Sequence, residues 1–290
     1  MKTAIIGCGY AGRVLAHRLI ERGNPVRATT TSEARLSSLA TLGAEPVVLR
    51  VDHEDALART LDGVEAVVYL APPAKDQHAD DLAARIASAS PSSLKSFVYG
   101  STTSVFGRPV DPSEWVDETT PPRDLADRAR ARLDIERALA KVGLPLKVVR
   151  IAGIYGPGRT MRDAIRKEQL ILFEGGPPTS RIHVEDLARI LEAMTEPSAP
   201  PLIIACDDEP AETLEVARYT CRLLGLEAPE PVSVEDARRV LSPMALEMRL
   251  GGHRCRSLVR PKLIGRLTYP TYREGVRASL EAEGALPVPA

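Results

Sequence analysis

The spacing of apolar residues predicts an α/β protein whose core is a doubly wound parallel sheet, joined to a smaller C-terminal lobe. Three observations carry this reading. Short β-type apolar runs alternate with helix-length periodic segments through roughly the first half of the 290-residue chain, the pattern of repeated strand–helix–strand units. Several runs are apolar on consecutive residues, as in Ala66-Val67-Val68-Tyr69-Leu70, which suits strands covered by helices on both faces. A glycine cluster stands directly between the first such run and the first periodic segment, where a parallel sheet of this kind needs a tight turn.

In chain order, strands are expected at 3–6, 26–30, 46–49, 66–70, 96–99 and 146–151, with helices between them at 12–22, 33–42, 56–61, 79–89 and 125–142. After residue 151 the rhythm loosens. A glycine- and proline-rich loop, IYGPGRT, leads into a charged helical stretch and a second break at GGPPTS. A helix at 184–195, a strand at 202–205, a helix at 211–224 and a Pro-punctuated tail with short helices follow. The joints are short, so two lobes packed on one another are expected rather than tethered domains.

Composition narrows the function. With 44% hydrophobic residues and a formal net charge of -1, the chain can bury a substantial core and carries no global basic bias toward nucleic acid. Met1-Lys2 runs straight into Thr3-Ala4-Ile5-Ile6, too short an apolar run for a secretion signal, and no stretch reaches the apolar length of a membrane span. Cys8, Cys206, Cys221 and Cys255 lie far apart, with neither a disulfide-framework nor a paired zinc spacing. The expectation is a cytoplasmic protein with a small-molecule partner, no metal, no nucleic acid and no membrane.

The glycine cluster is Gly7-Cys8-Gly9-Tyr10-Ala11-Gly12, a GxGxxG that closes a strand and opens a helix. The physics requires glycine three times: for the turn, for close approach of backbone to a pyrophosphate, and for packing of helix on strand. The helix start then supplies unpaired N–H groups and a positive dipole, so a Rossmann-type dinucleotide site is expected around Gly7, Gly9, Tyr10, Ala11 and Gly12. At the end of the second strand, where a carboxylate would hold the ribose of NAD, the sequence reads Arg27-Ala28-Thr29-Thr30-Thr31-Ser32, with Arg35 close behind and Arg13 just after the third glycine. Hydroxyls and arginines suit a 2′-phosphate. NADP(H) is favoured over NAD(H), with Thr30, Thr31, Arg13 and Arg35 as contacts; the plainer alternative makes Arg13 and Arg35 solvated helix-face residues.

Further motifs line up in order: VVYLA at 67–71, FVYGSTTSVFG at 97–107, VDETTPP at 116–122, VVRIAGIYGPG at 148–158, RIHVEDL at 181–187 and LTYPTYREG at 267–275. This succession closely resembles the extended short-chain dehydrogenase/reductases, the NAD-dependent epimerase/dehydratase family. The resemblance covers nearly the whole chain. It implies a dinucleotide-binding domain over residues 1–153, to which 184–206 returns, and a mostly substrate-side lobe over 154–290. It implies that Ala71 and Pro72 lie along the cofactor, with Asp52 near the adenine and Ser101 and Tyr155 on the cofactor as well. Thr102 takes the place of the family's catalytic serine or threonine. Thr103, Tyr155 and His183 fall on the substrate side, and His183 is expected to bridge the lobes, either in the chemistry or as a structural hydrogen-bonding histidine.

The departure from the family lies in ADRARARLDIE at 126–136. The family's Tyr-x-x-x-Lys pair precedes a glutamate by four residues, and Glu136 registers that pair on Arg128 and Arg132. A guanidinium stays protonated and cannot exchange a proton near neutral pH, and no tyrosine occurs between Gly107 and Ile154. Arg132 is expected to bind ribose or phosphate and Arg128 a developing oxygen charge. Alternatively, Asp124 with Arg128 and Arg132 with Glu136 form i,i+4 ion pairs and the helix is only structural. The resemblance therefore implies an NADP(H)-dependent oxidoreductase or epimerase on a small carbonyl, hydroxyl or sugar-nucleotide compound with atypical catalytic groups. The alternative is a non-catalytic NADP(H)-binding sensor or assembly protein. A homodimer through the 79–89 and 125–142 helices is expected from the family.

Overall fold

The computed structural model describes residues 1–50, 54–74, 78–109, 111, 113–123, 127–167, 169–242, 245–246 and 250–286, without the side chains of Glu54, Asp127 and Arg128. Every strand expected from the sequence is formed, and together they make one sheet. In chain order the strands are β1 (Thr3–Ile6), β2 (Val26–Thr30), β3 (Glu45–Val48), β4 (Ala66–Tyr69), β5 (Ser96–Thr102), β7 (Leu146–Ile151) and β10 (Leu202–Ala205), with the short β6 (Trp115–Val116), β8 (Gly153–Tyr155) and β9 (Arg181–His183) lying elsewhere. The sheet order is β10-β7-β5-β4-β1-β2-β3, and every neighbouring pair is parallel. Strand order reverses between β1 and β4, so the crevice beyond their carboxyl ends is the place where such sheets bind ligands.

Alternation sorts the strand residues between two helical layers. Ile5, Val68 and Val98 face a layer made by α1 (Tyr10–Glu21) and α7 (Val184–Met194), whose Leu15, Leu19, Leu187, Ile190 and Leu191 are buried there. Ala4, Val67, Tyr69, Phe97 and Tyr99 face α3 (Glu54–Leu61), α4 (Ala79–Ala89) and α5 (Asp127–Lys141) through Leu57, Leu82, Ile86, Ile135 and Leu139. At about 1.5–3 kcal/mol for each large apolar side chain buried, these two layers dominate the stability. The outward faces of α4 and α5 expose Ala84, Ser88, Arg137 and Lys141.

The remaining elements hang on the carboxyl end of the sheet. Strands β8 and β9 pair in parallel, as do β6 and β11 (Arg254–Cys255). Helices α8 (Thr213–Leu224) and α11 (Tyr272–Ala282) enclose a separate cluster of Tyr155, Val216, Tyr272, Val276 and Leu280. Three further short helices are α6 (Arg162–Arg166), α9 (Val234–Val240) and α10 (Arg260–Ile264). The tail is fastened by one carboxylate: Asp186 accepts the backbone N–H groups of Thr268 at 2.9 Å and Tyr269 at 2.8 Å. Glu118 does the same between β10 and the segment before α10, accepting from the N–H groups of Ile204 and Leu258 at 2.9 Å each.

Differences from the sequence reading have local causes. The helix expected at 33–42 is a 3-10 turn at Glu33–Arg35 followed by α2 (Leu36–Thr41). Strand β5 runs on to Thr102 because β7 continues to pair with it, Thr102 opposite Ile151. Helix α8 starts at Thr213 rather than 211 because Ala211 is drawn into a bridge with Thr179. Strands of two or three residues, such as β6 and β11, leave no periodicity to read.

Candidate functional site

The crevice is built first from backbone. Gly7 sits at φ +81°, and an added Cβ would stand 2.6 Å from the backbone nitrogen of Ala71, so the loop after β1 presses directly on the chain leaving β4. Thr29 on β2 anchors that loop, accepting the Gly7 N–H on its hydroxyl at 3.0 Å and the Cys8 N–H on its carbonyl at 2.8 Å. Gly12 packs on Ile5, with an added Cβ 3.3 Å from its side chain. Gly9 differs: an added Cβ would meet nothing nearer than 4.0 Å. Gly9 is also the N-cap of α1, with no side-chain cap and no acidic residue in the first turn. Two glycines pack and the third faces open space beside uncapped N–H groups, which fits a dinucleotide pyrophosphate held by backbone.

Around this loop, Tyr10 donates its hydroxyl to the Pro157 carbonyl at 3.0 Å. The side chain of Ala11 is half-buried and that of Pro72 is exposed. Cys8 is buried, which pushes its thiol up to about 11 and removes it from thiolate chemistry. At the end of β2, Thr30 is buried and its hydroxyl accepts the Ser32 N–H at 3.2 Å, while Thr31 and Arg35 are exposed. Arg13, also exposed, donates to the Ser38 hydroxyl at 3.0 Å, and that hydroxyl donates to the Arg35 carbonyl at 2.9 Å. Arg13 is thus linked through the Ser38 hydroxyl to the backbone of Arg35. Asp52 lies outside the described residues.

On the opposite wall, the side chains of β5 divide. Thr102 is half-buried and caps the 3-10 turn Thr103–Phe106: its hydroxyl accepts the Ser104 N–H at 3.2 Å and donates to the Ser104 hydroxyl at 3.1 Å. Ser101 points to the other face, where it is buried and donates to the Glu136 carboxylate. The side chain expected on the cofactor is therefore committed beneath the sheet. Glu136 also pairs with buried Arg150 at 2.9 Å, so the Arg132–Glu136 ion pair of the alternative reading is not what the helix makes. Arg132 instead donates to the Gly100 carbonyl at 2.7 Å, two residues before Thr102. Its charge lies beside the phenols of Tyr69 and Tyr99 and offsets part of the burial that pushes Tyr99 up to about 12. Arg130 is exposed, while Asp124 and the side chain of Arg128 lie outside the described residues.

Neither candidate for moving a proton is placed to do so. His183 is 1% exposed. Its Nδ1 accepts the Glu185 N–H at 3.3 Å, capping α7, and its Nε2 meets the Ser279 hydroxyl at 3.2 Å. That hydroxyl is already a donor to the Gly275 carbonyl at 2.6 Å, so Nε2 carries the proton. Burial pushes the imidazole down to about 4. It is a neutral strut between α7 and α11, stacked among Tyr155 and Tyr269 at ring distances of 5.3 and 4.0 Å. Tyr155 is likewise buried, its phenol pushed well above its ordinary value and reaching only the Thr271 carbonyl at 3.4 Å. His183 thus takes the structural hydrogen-bonding role weighed for it, bridging α7 and α11, while Tyr155, expected on the cofactor and the substrate side, is packed against α11.

Sequence reasoning missed Thr29 and Ser38, which carry no local signal, and Asp186, which stands inside the quoted RIHVED motif. Among the described residues no group of His, Cys, Asp and Glu could hold a metal, and no helix is long and apolar enough to cross a membrane.

Comparison with known proteins agrees with this geometry. The profile of a family described as NAD(P)H-binding matches residues 7–197. Protein YeeZ of Escherichia coli K12 is 27% identical over 243 residues, covering 79% of this chain and 86% of that protein. A Stigmatella aurantiaca protein named as a 4-hydroxy-2-methyl-3-oxo-4-farnesyl-3,4-dihydroquinoline-1-oxide ketoreductase is 29% identical over 217 residues, 67% of this chain and 63% of that one. Among solved structures, a conserved protein of unknown function from Silicibacter pomeroyi superposes with a TM-score of 0.83 at 32% identity, covering 97% of this chain and 98% of the other. The human epimerase family protein SDR39U1, solved with NADPH, shares the fold at a TM-score of 0.76 and 19% identity, covering 97% and 99%. With the matched profile spanning both walls of the crevice, the chain belongs to the NAD(P)H-binding family, in keeping with the resemblance to an atypical extended short-chain dehydrogenase/reductase.

Proposed function

We propose that the protein is an NADP(H)-dependent oxidoreductase that interconverts a small carbonyl compound and its alcohol, without an ionisable catalytic side chain. The single observation that carries this is the pairing of an open backbone cradle at Gly9 with a hydroxyl, that of Thr102, at the end of β5. When bound, the nicotinamide supplies or accepts the hydride. Thr102 turns its O–H from Ser104 to the substrate oxygen. Arg132, with Arg128 by sequence register, adds fixed positive charge as that oxygen gains electron density. The guanidinium cannot give up its proton, and His183 and Tyr155 are buried in other duties, so the proton comes from solvent. The ketoreductase relative supports carbonyl reduction as the direction, and the arginine pair at 13 and 35 supports NADPH as the donor. Epimerisation of a sugar nucleotide is the nearest alternative, using the same hydride step twice. The buried, unpaired state of all four cysteines suits a cytoplasmic setting, and a homodimer through α4 and α5 is part of the same reading.

The test is a fluorescence titration with NADPH, followed by an oxidation screen across aldehydes, quinones and ketosugars. Turnover should appear, and Thr102→Ala should lower kcat/KM by about 100-fold with little change in cofactor affinity. Tight NADPH binding with no turnover across the panel would overturn the enzyme reading in favour of a cofactor sensor.

A further inference from the structure

The segment after β8 crosses the crevice and lands on the dinucleotide loop. Tyr10, the first residue of α1, reaches the Pro157 carbonyl, and Gly156 must lack a side chain because an added Cβ would stand 2.7 Å from the Tyr10 hydroxyl. Above the Tyr10 ring lies the guanidinium of Arg159, 5.5 Å from the ring centroid. It is close enough for its charge to pull the phenol down against the burial that raises it to about 12. Two arginines of this segment have different fates. Arg162 is neutralised by Glu283 at 2.6 Å, on a carboxylate whose side chain is only 9% exposed. The Arg159 guanidinium is exposed and makes no ion pair among the described residues.

Glu283 also fixes the backbone from which Arg159 projects. Its other oxygen accepts the Gly158 N–H at 2.6 Å, and it is itself the C-cap of α11. A continuous path therefore runs from the end of α11 through Gly158 and Arg159 to Tyr10, whose own backbone opens α1.

We propose that Arg159 is a cofactor-binding residue supplied by the substrate-side lobe, its guanidinium closing on the pyrophosphate of the bound dinucleotide, with Glu283 as the positioning residue that presents it. This rests on the cofactor reading above. A pyrophosphate at the start of α1 meets N–H groups and the helix dipole from below but no side-chain cation on the loop itself before Arg13. A planar guanidinium already parked over Tyr10 completes the charge balance from above, in the bidentate geometry that arginine offers phosphate. The consequence is mechanical: cofactor binding draws the two lobes together through a residue of the second.

The experiment is a titration of wild type, Arg159→Ala, Arg159→Lys and Glu283→Gln with NADPH, NADH and adenosine 2′,5′-bisphosphate, with melting temperatures recorded alongside. Arg159→Ala should weaken NADPH and NADH equally, by roughly tenfold. Arg159→Lys should fall between it and wild type, and the bisphosphate, which lacks the second phosphate, should be affected less. Glu283→Gln should weaken binding by a smaller factor and add nothing when combined with Arg159→Ala. A folded Arg159→Ala protein with wild-type affinity for NADPH overturns the assignment and leaves the cofactor reading standing. Failure of the wild type to bind any of the three overturns both.

Discussion

The two walls of the crevice are built in opposite ways. On the β1–α1 side the side chains are withdrawn: Gly7 and Gly12 pack, Gly9 leaves open space, and the N-terminal N–H groups of α1 stay uncapped. On the β5–α5 side the side chains are engaged: Ser101 and Arg150 on Glu136, and Arg132 on the Gly100 carbonyl. A site made of backbone and space depends on a few glycines and tolerates change elsewhere. A site made of ionisable side chains depends on their identity, and on the proposed reading fixed cations stand there in place of a proton-transferring pair. On that reading, cofactor binding and ordinary short-chain dehydrogenase chemistry are separable properties of the fold.

The sharpest way to break that contrast is to substitute two glycines of the same motif. Gly7→Ala forces a left-handed residue against the backbone of Ala71 and should cost about 2–4 kcal/mol of stability, measured by urea unfolding. Gly9→Ala adds a methyl group to open space, so the melting temperature should hold while NADPH affinity drops by roughly tenfold or more. If Gly9→Ala binds cofactor normally, the open space is not where the pyrophosphate sits.

The buried histidine at the start of α7, which belongs to neither wall, predicts an acid weakness. An unfolded histidine titrates near 6.5, whereas burial holds His183 at about 4 in the folded protein. As pH falls through that window the unfolded chain takes up the proton first, so stability present above pH 6.5 is lost on the way to pH 4. Between pH 7 and 5 the loss should be about 2 kcal/mol. Burial lowers His253 as well, in the same direction, so His183→Asn should be less stable at pH 7 yet lose less on acidification, without abolishing the loss. An unchanged acid dependence in that variant would mean His183 is not the buried strut described.

Legibility in the sequence followed the same division. All seven strands of the main sheet and the glycine loop could be read because periodicity and backbone demands are local. The segment holding Arg128, Arg132 and Glu136 was legible as helix α5, but its contacts were not. The alternative pairing of Arg132 with Glu136 is not made: Arg132 meets Gly100, since Glu136 is taken by Arg150 from β7, 14 residues on. His183 could be read in advance as a structural bridge, but its partner could not, and Tyr155 looked like a cleft residue; only α11, which arrives some hundred residues later in the chain, buries both. Contacts between distant segments leave no periodic trace, so side-chain roles that depend on them stayed hidden.

The smallest effect concerns the cofactor's far end. No carboxylate stands at the end of β2, and Arg13 is instead joined through the Ser38 hydroxyl to the backbone of Arg35. If this surface takes a 2′-phosphate, Arg13→Ala should weaken NADPH by roughly fivefold, about 1 kcal/mol for an exposed charge pair, and leave NADH unchanged. The expected pattern is the reverse of that for Arg159→Ala, which should not distinguish the two cofactors. Competition with adenosine 2′,5′-bisphosphate and with AMP separates them without any substrate, because only the first carries the extra phosphate. Equal loss for NADPH and NADH in Arg13→Ala would make Arg13 a solvated helix-face residue with a general electrostatic effect, and the preference for NADP(H) would lose its structural basis. A selective loss would show that the withdrawn wall reads its ligand with charge at one end only, where the 2′-phosphate lies, and with backbone everywhere else.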